Sequence, residues 1–299
     1  MEIAEKAFEV NESIEKKKMG PWQQMWKRLR RNKLAVFGLV TFSMILLMAI
    51  FADFIVDFDS QVIKQNAAIR LSAPNAEHWF GTDHFGRDIF ARVVYGARSS
   101  LTIGVVVTLV CLVVGGFIGS VAAYYGGRFD AVVMRIMDTI MSIPPILLAL
   151  AVVAALGQNL TNLIIAMIVA QVSSFTRIVR SSIMSVVGFE YVEAAKACGT
   201  RDSRIILKHI IPNAIGPIIV QSTMSIARTI ITAAGLSFIG MGIQPPFPEW
   251  GSMLAEGKQY MRYTPYLVMF PGGFIVLTAL SLNVLGDGLR DALDPKLKN

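Results

Sequence analysis

A chain of 299 residues that is 54% hydrophobic and 16% charged, with a mean hydropathy of +0.55, is too apolar for a soluble domain and belongs in a bilayer. Its net charge of +7 does not mark a nucleic-acid binder, because the bases are segregated by loop rather than gathered on one soluble face. Two cysteines, Cys111 in an apolar block and Cys198 in a polar one, exclude a disulfide framework and a thiolate metal site.

Residues 1–33 carry nine bases and five acids and lack the early apolar core of a cleaved leader. Span one is therefore expected to act as an uncleaved anchor. Within that stretch Trp22, Met25, Trp26 and Leu29 recur at helical spacing, while Lys27, Arg28, Arg30, Arg31 and Lys33 fill the other faces. The pattern predicts an interfacial helix lying against anionic lipid. A spanning helix needs about 20 apolar residues, and Leu34 to Ala52 meets that for span one. Span two is Ser99 to Tyr125. Residues Thr139 to Thr176 form an uncharged run of 38, divided by the turn-forming Gly157–Asn162 cluster into spans three and four. Asn213 to Gly235 gives span five, and Thr264 to Leu285 gives span six. The fold class read from this is an all-α polytopic membrane protein with six transmembrane helices.

With the N-terminus inside, 20 of the 28 Lys and Arg fall in inside segments and 7 in outside ones, with Arg228 within span five. That bias places both termini and the 177–212 interval in the cytoplasm. Inside this interval Glu190, Glu193, Ala194 and Ala197 share one helical face with small centres and acidic edges. Gly199 suits a left-handed helix end, Thr200 or Asp202 suits a cap for a second short helix reaching His209, and Pro212 suits the first turn of span five. Local chemistry leaves two readings open, a docking element for a partner or a plain amphipathic connector.

One intramembrane signal stands out. Gln221, Ser225, Arg228 and Thr232 fall at i, i+4, i+7 and i+11, a polar stripe on an apolar helix. An arginine within a span costs at least about 3 kcal/mol and should face protein or water. One reading is a pathway lining whose Arg228 attracts a peptide carboxylate, with Gln171 and Ser174 on span four as weaker lining candidates. The others are polar glue between helices and partial snorkelling from a position about 10 Å inside the span's end. Gly115-Gly116 and Pro144-Pro145 suit close packing or kinks. Asp83, Arg87 and Asp88, among Gly81, Gly86 and Gly96, suit a tight outer loop with exposed ion pairs. There is no catalytic set, His78, His84 and His209 lie on different sides and form no metal triad, and no G-x-x-x-x-G-K-[ST] phosphate loop is present.

Four segments carry a family resemblance. Glu193-Ala194-Ala195 with Gly199 and Ile211-Pro212 resembles the EAA loop of permease subunits of ATP-binding-cassette importers, with His209 departing from the broader aliphatic pattern. His78–Asp83 with Gly86-Arg87-Asp88 and Gly96–Leu101, then Leu236–Gly242 with Pro245-Pro246 and Trp250-Gly251, and finally Asn283–Pro295, resemble C-type permeases of oligopeptide and dipeptide importers. The resemblance implies a type-I importer permease fold, with 1–33 a cytoplasmic tail, 34–98 the first helix and extracytoplasmic loop, 99–288 the permease core and 289–299 a cytoplasmic tail. It implies that Glu190, Glu193, Ala194, Ala195, Gly199 and Pro212 belong to a coupling loop that docks on an ATPase, with 126–138 a smaller contact. The implied partners are a homologous second permease subunit, two ATPase subunits, an extracytoplasmic peptide-binding protein and the bilayer of a bacterial cell membrane, with no nucleic acid. ATP and Mg would sit in the ATPases, and this chain would bind no cofactor and no metal and would not itself be an enzyme. Nickel chelates or glutathione-like compounds are alternative cargoes for the same machinery. An ion-driven secondary transporter is a more distant alternative, disfavoured because the acids lie at span ends or in loops.

Overall fold

The structure is a computed structural model and describes residues 20–293; the tail before Gly20 and the final segment containing Asp294 and Pro295 lie outside it. The described residues form helices and no named strand. These are α1 (Pro21–Arg31), α2 (Lys33–Ile50), α3 (Ile89–Tyr125), α4 (Gly127–Met141), α5 (Pro145–Leu156), α6 (Leu160–Met184), α7 (Glu190–Ala197), α8 (Asp202–Phe238), α9 (Trp250–Gly257) and α10 (Tyr266–Leu293). Five of them (α2, α3, α6, α8 and α10) are long and apolar enough to cross a membrane, and α4 with α5 makes a sixth crossing if the bent pair is one span.

The third span is broken at Pro144-Pro145, where the sequence suits a kink. Pro145 can start a helix but Pro144 cannot continue one, so α4 and α5 meet at an angle of 79°. Of residues 126–138, expected as a loop, all but the N-cap Gly126 belong to α4, which is amphipathic and packs its polar side on α6 through Asp130–Arg180 and Asp138–Arg177 ion pairs. Other boundaries shift in one direction. The α3 helix begins ten residues before Ser99, so Gly96 and Arg98 are helical rather than in a loop, and α6 runs on through Arg177 and Arg180. Asp202 begins no separate helix. The chain from Asp202 passes through a π-helical turn at Ile206–Ile210 straight into the rest of α8, with Arg201 as N-cap and no side-chain cap.

Backbones approach closely at α3. A Cβ on Gly115 would lie 2.9 Å from the Phe175 Cβ, one on Gly119 2.4 Å from the Thr176 carbonyl, and one on Gly104 2.8 Å from Ile230. The first two are a G-x-x-x-G pair seating α3 on α6. Gly116, which shares the sequence motif, has nothing within 4 Å. On the other flank Gly38 sits on the Ser281 carbonyl of α10 and Gly288 on Ala35, so α2 and α10 run side by side. Leu29 of α1 packs with Ala35, Leu285 and Ala292, which places α1 and the end of α10 together; the Trp22 side chain lies outside the described residues.

At the opposite end, the expected exposed ion pairs are buried. Arg87 donates to Asp83 at 2.6 Å and to Glu256 of α9 at 2.6 Å, and Arg92 of α3 donates to the same two carboxylates at 3.1 and 3.2 Å. The Arg87 and Arg92 side chains are 2% and 1% exposed. Two cations and two anions cancel inside the protein, which is what makes their burial tolerable. Asp88 stands apart, capping α3 at Ala91 and meeting His78 at 2.7 Å. Burial pushes the Glu256 carboxyl above the usual range while Arg87 works against it. Asp83, His84 and Glu256 bring their polar atoms within 4.8 Å of one another, but both carboxylates already hold guanidinium groups, so the cluster is a closed ionic lock. Trp250 is fully buried beside it and donates to the Val93 carbonyl at 3.0 Å.

Two outcomes follow for stability. Gly119→Val should lower stability by about 1–3 kcal/mol through overpacking against α6, seen as a lower unfolding midpoint in detergent, while Gly116→Ala should leave the midpoint in place. Arg92→Met, which leaves Asp83 and Glu256 under-neutralised, should cost about 3–5 kcal/mol; Arg98→Met, whose partner Asp53 is exposed, should change the midpoint far less.

Candidate functional site

Two sets of residues meet in space. The first surrounds α7. Val192 is buried and Ala195 partly so, packing with Ala123 of α3, Val179 and Ile183 of α6, and Ile205, Ile210 and Ala214 of α8. That burial turns Glu190, Glu193, Ala194 and Ala197 outward, all exposed. Phe189 and Tyr191 are exposed beside them, with ring centroids 5.9 Å apart. Gly199 ends the helix at φ +72°, and Pro212 lies in the helical run of α8 just past the π-turn. The resulting surface is small at its centre, acidic at its edges and aromatic at one end.

Beside this surface one carboxylate, which the sequence suggests only as a cap, ties the start of α8 to α3. Asp202 accepts hydrogen bonds from the Tyr124 hydroxyl at 2.7 Å and the Tyr125 hydroxyl at 3.1 Å, both at the end of α3. Lys196 of α7 lies 4.9 Å over the Tyr124 ring. The clue in the sequence was the Tyr124-Tyr125 pair at a span end, which alone does not say where its hydroxyls reach.

The second set lies within the bundle. All six residues singled out in spans four and five, Gln171, Ser174, Gln221, Ser225, Arg228 and Thr232, line one cavity of about 100 Å³. Its remaining wall is apolar and includes Met167, Phe175 and Ile178. Pro145, the first residue of α5, completes it, so the broken third span sends its helix start to this place. The start of α5 reaches this cavity just past the 79° bend between α4 and α5. Thr229, absent from the expected stripe, is buried and its hydroxyl meets Gln171 Oε1 at 3.0 Å, linking α8 to α6. Helix α8 continues ten residues beyond Arg228 to Phe238, about 15 Å, which sets the guanidinium deeper than the expected span end did. Arg228 is exposed on the isolated chain, so the cavity opens toward the side where this bundle ends.

The chain can be placed among known proteins. Residues 115–299 match the family model described as the inner membrane component of binding-protein-dependent transport systems, and residues 20–74 match the N-terminal TM domain of oligopeptide transport permease C. A dipeptide transport system permease protein of Alkalihalophilus pseudofirmus is 47% identical over 94% of this chain and 92% of its own length. An oligopeptide transport system permease protein of Bacillus subtilis is 41% identical, covering 96% and 93%. A glutathione transport system permease protein of Pectobacterium atrosepticum is 40% identical, covering 93% and 92%. Among solved structures, an inward-facing form of the MetNI methionine ABC transporter aligns with a TM-score of 0.58 at 19% identity, over 69% of this chain and 98% of that one. This last likeness concerns the fold alone.

Proposed function

Because the chain belongs to the family of inner membrane components of binding-protein-dependent transport systems, we propose that it is one permease half of an importer for peptides, with α7 as the element an ATPase partner grips. The fold is all-α and polytopic, the type-I importer permease fold. The observation that carries the docking assignment is α7 itself. Its apolar face is spent on the ends of α3, α6 and α8, and its exposed face offers Glu190 and Glu193 around small residues. Small residues admit a close neighbour and carboxylates reach a partner's arginines.

In this reading Glu190, Glu193, Ala194, Ala195, Gly199 and Pro212 form the coupling loop, and the bases around it place that side in the cytoplasm with both termini. Residues 34–98 are the first helix and outer loop, and 99–288 the transporting core. A second, homologous permease closes the open side of the Arg228 cavity, two ATPases supply ATP and Mg, and an outer binding protein delivers cargo across a bacterial cell membrane. ATP-driven closure pushes on α7; Asp202 passes the push to Tyr124 and Tyr125 at the end of α3, whose far end carries the ionic lock to α9. Gln171, Ser174, Gln221, Ser225, Arg228 and Thr232 line the pathway. Peptides are assigned as cargo because relatives named for dipeptide and oligopeptide transport align over more than nine-tenths of the chain. The glutathione-system relatives favour glutathione-like compounds as a second reading for the same machinery.

The test is co-purification from membranes. Glu193→Lys combined with Gly199→Val should release the ATPase subunit and cut ATP-driven peptide uptake at least about tenfold, since a lost charged contact costs about 1.5–3 kcal/mol. Glu77→Lys, on the opposite end of the bundle, should leave both unchanged. An ATPase that stays bound to the double variant, with uptake intact, would remove α7 as the docking element.

A further inference from the structure

We infer that the Arg228 cavity is a carboxylate site that holds the negatively charged group of a passing peptide. The inference rests on the pathway reading above and adds the chemistry that the pathway selects. Its first support is an accounting of charge. The four arginines within α3 and α6 all have acidic partners: Arg92 has Asp83 and Glu256, Arg98 has Asp53, Arg177 has Asp138 and Arg180 has Asp130. Arg228 has none among the described residues, and no Asp or Glu lines its cavity. A guanidinium kept within a span without a counter-ion is costly, and an anion that arrives with the cargo would supply what the chain withholds.

The second support is the donor character of the wall. Gln171 contacts the Thr229 hydroxyl at 3.0 Å, and that hydroxyl donates its proton to the Ser225 carbonyl at 2.7 Å. Gln221 Nε2 lies 3.4 Å from Ser225 Oγ, so that hydroxyl accepts and keeps its own O–H to give. The start of α5 at Pro145 adds the positive end of a 12-residue helix to the same wall. Arginine, the Ser225 hydroxyl and the helix start together form an environment for a carboxylate and a poor one for an ammonium group. At about 100 Å³ the cavity takes one charged end and not a whole peptide, so the rest of the cargo lies toward the open side.

The experiment uses the complete transporter with its second permease, ATPases and binding protein in proteoliposomes. Three probes are delivered at saturating binding protein: trialanine with a free carboxylate, trialanine amide, and the amide of Ala-Asp-Ala. Arg228→Gln should lower uptake of the free acid roughly tenfold or more and leave trialanine amide within about twofold, with Arg228→Lys recovering part of the loss. A parallel fall for Ala-Asp-Ala amide assigns the site to side-chain carboxylates as well; its absence confines the site to the C-terminus. A second readout does not need amide delivery: stimulation of ATP hydrolysis by the free acid should fall in Arg228→Gln and persist in Arg228→Lys. Equal losses for all three probes, equal losses in both variants, or no loss would each overturn the inference. A wild-type complex that moves none of the peptides overturns the peptide reading itself, whereas wild-type uptake untouched by Arg228→Gln overturns the carboxylate site alone.

Discussion

The close seating of α3 against its neighbours is the constraint on which the rest depends. Gly104, Gly115 and Gly119 bring the backbone of this helix to within van der Waals contact of α8 and α6. In a bilayer, lipid tails compete equally for apolar side chains, so such backbone proximity, rather than hydrophobic exclusion, selects one arrangement. With α3 fixed, its two ends become fixed points. One end holds Arg92 in the ionic lock with α9, and the other holds Asp202 of α8 and carries the Tyr124 ring under Lys196 of α7. A displacement at α7 thus meets a helix of 37 residues before it meets anything soft.

Charge is handled in two ways in this molecule. Near the ends of the bundle each cation in α3 or α6 has a carboxylate within hydrogen-bond reach, and the pair that is most buried is doubled into a neutral quartet. Arg228 breaks that pattern, at a cavity lined by α5, α6 and α8. A charge within a span is costly, and here it stands beside Gln221, Ser225 and Thr232 on one cavity wall.

Much of this was legible along the chain, though unevenly. The spans at α2, α8 and α10 and the exposed face of α7 follow from apolar length and helical spacing. The Gln221–Thr232 stripe was visible because four polar positions repeat at helical period on an apolar helix. The bend between α4 and α5 was signalled by Pro144-Pro145 but hidden by the uncharged run around it, which reads as continuous span. The ionic lock was missed because Arg92 and Glu256 are 164 positions apart, and a charge in a loop gives no sign of whether its neighbour in space is water or a carboxylate.

The sequence by itself determined which segments are apolar and long enough to cross a membrane and where the bases lie, since these depend on apolar length and composition. It also carried the family, through short motifs whose residue types are readable one at a time. Only the tertiary structure decided that Gly115 packs and Gly116 does not, that Arg87 and Arg92 share two acids, and that six polar residues from two helices and the start of α5 enclose one cavity. The physical reason is the same in each case. A helix presents every side chain to some direction, and what lies in that direction is fixed by a neighbour far away in the chain.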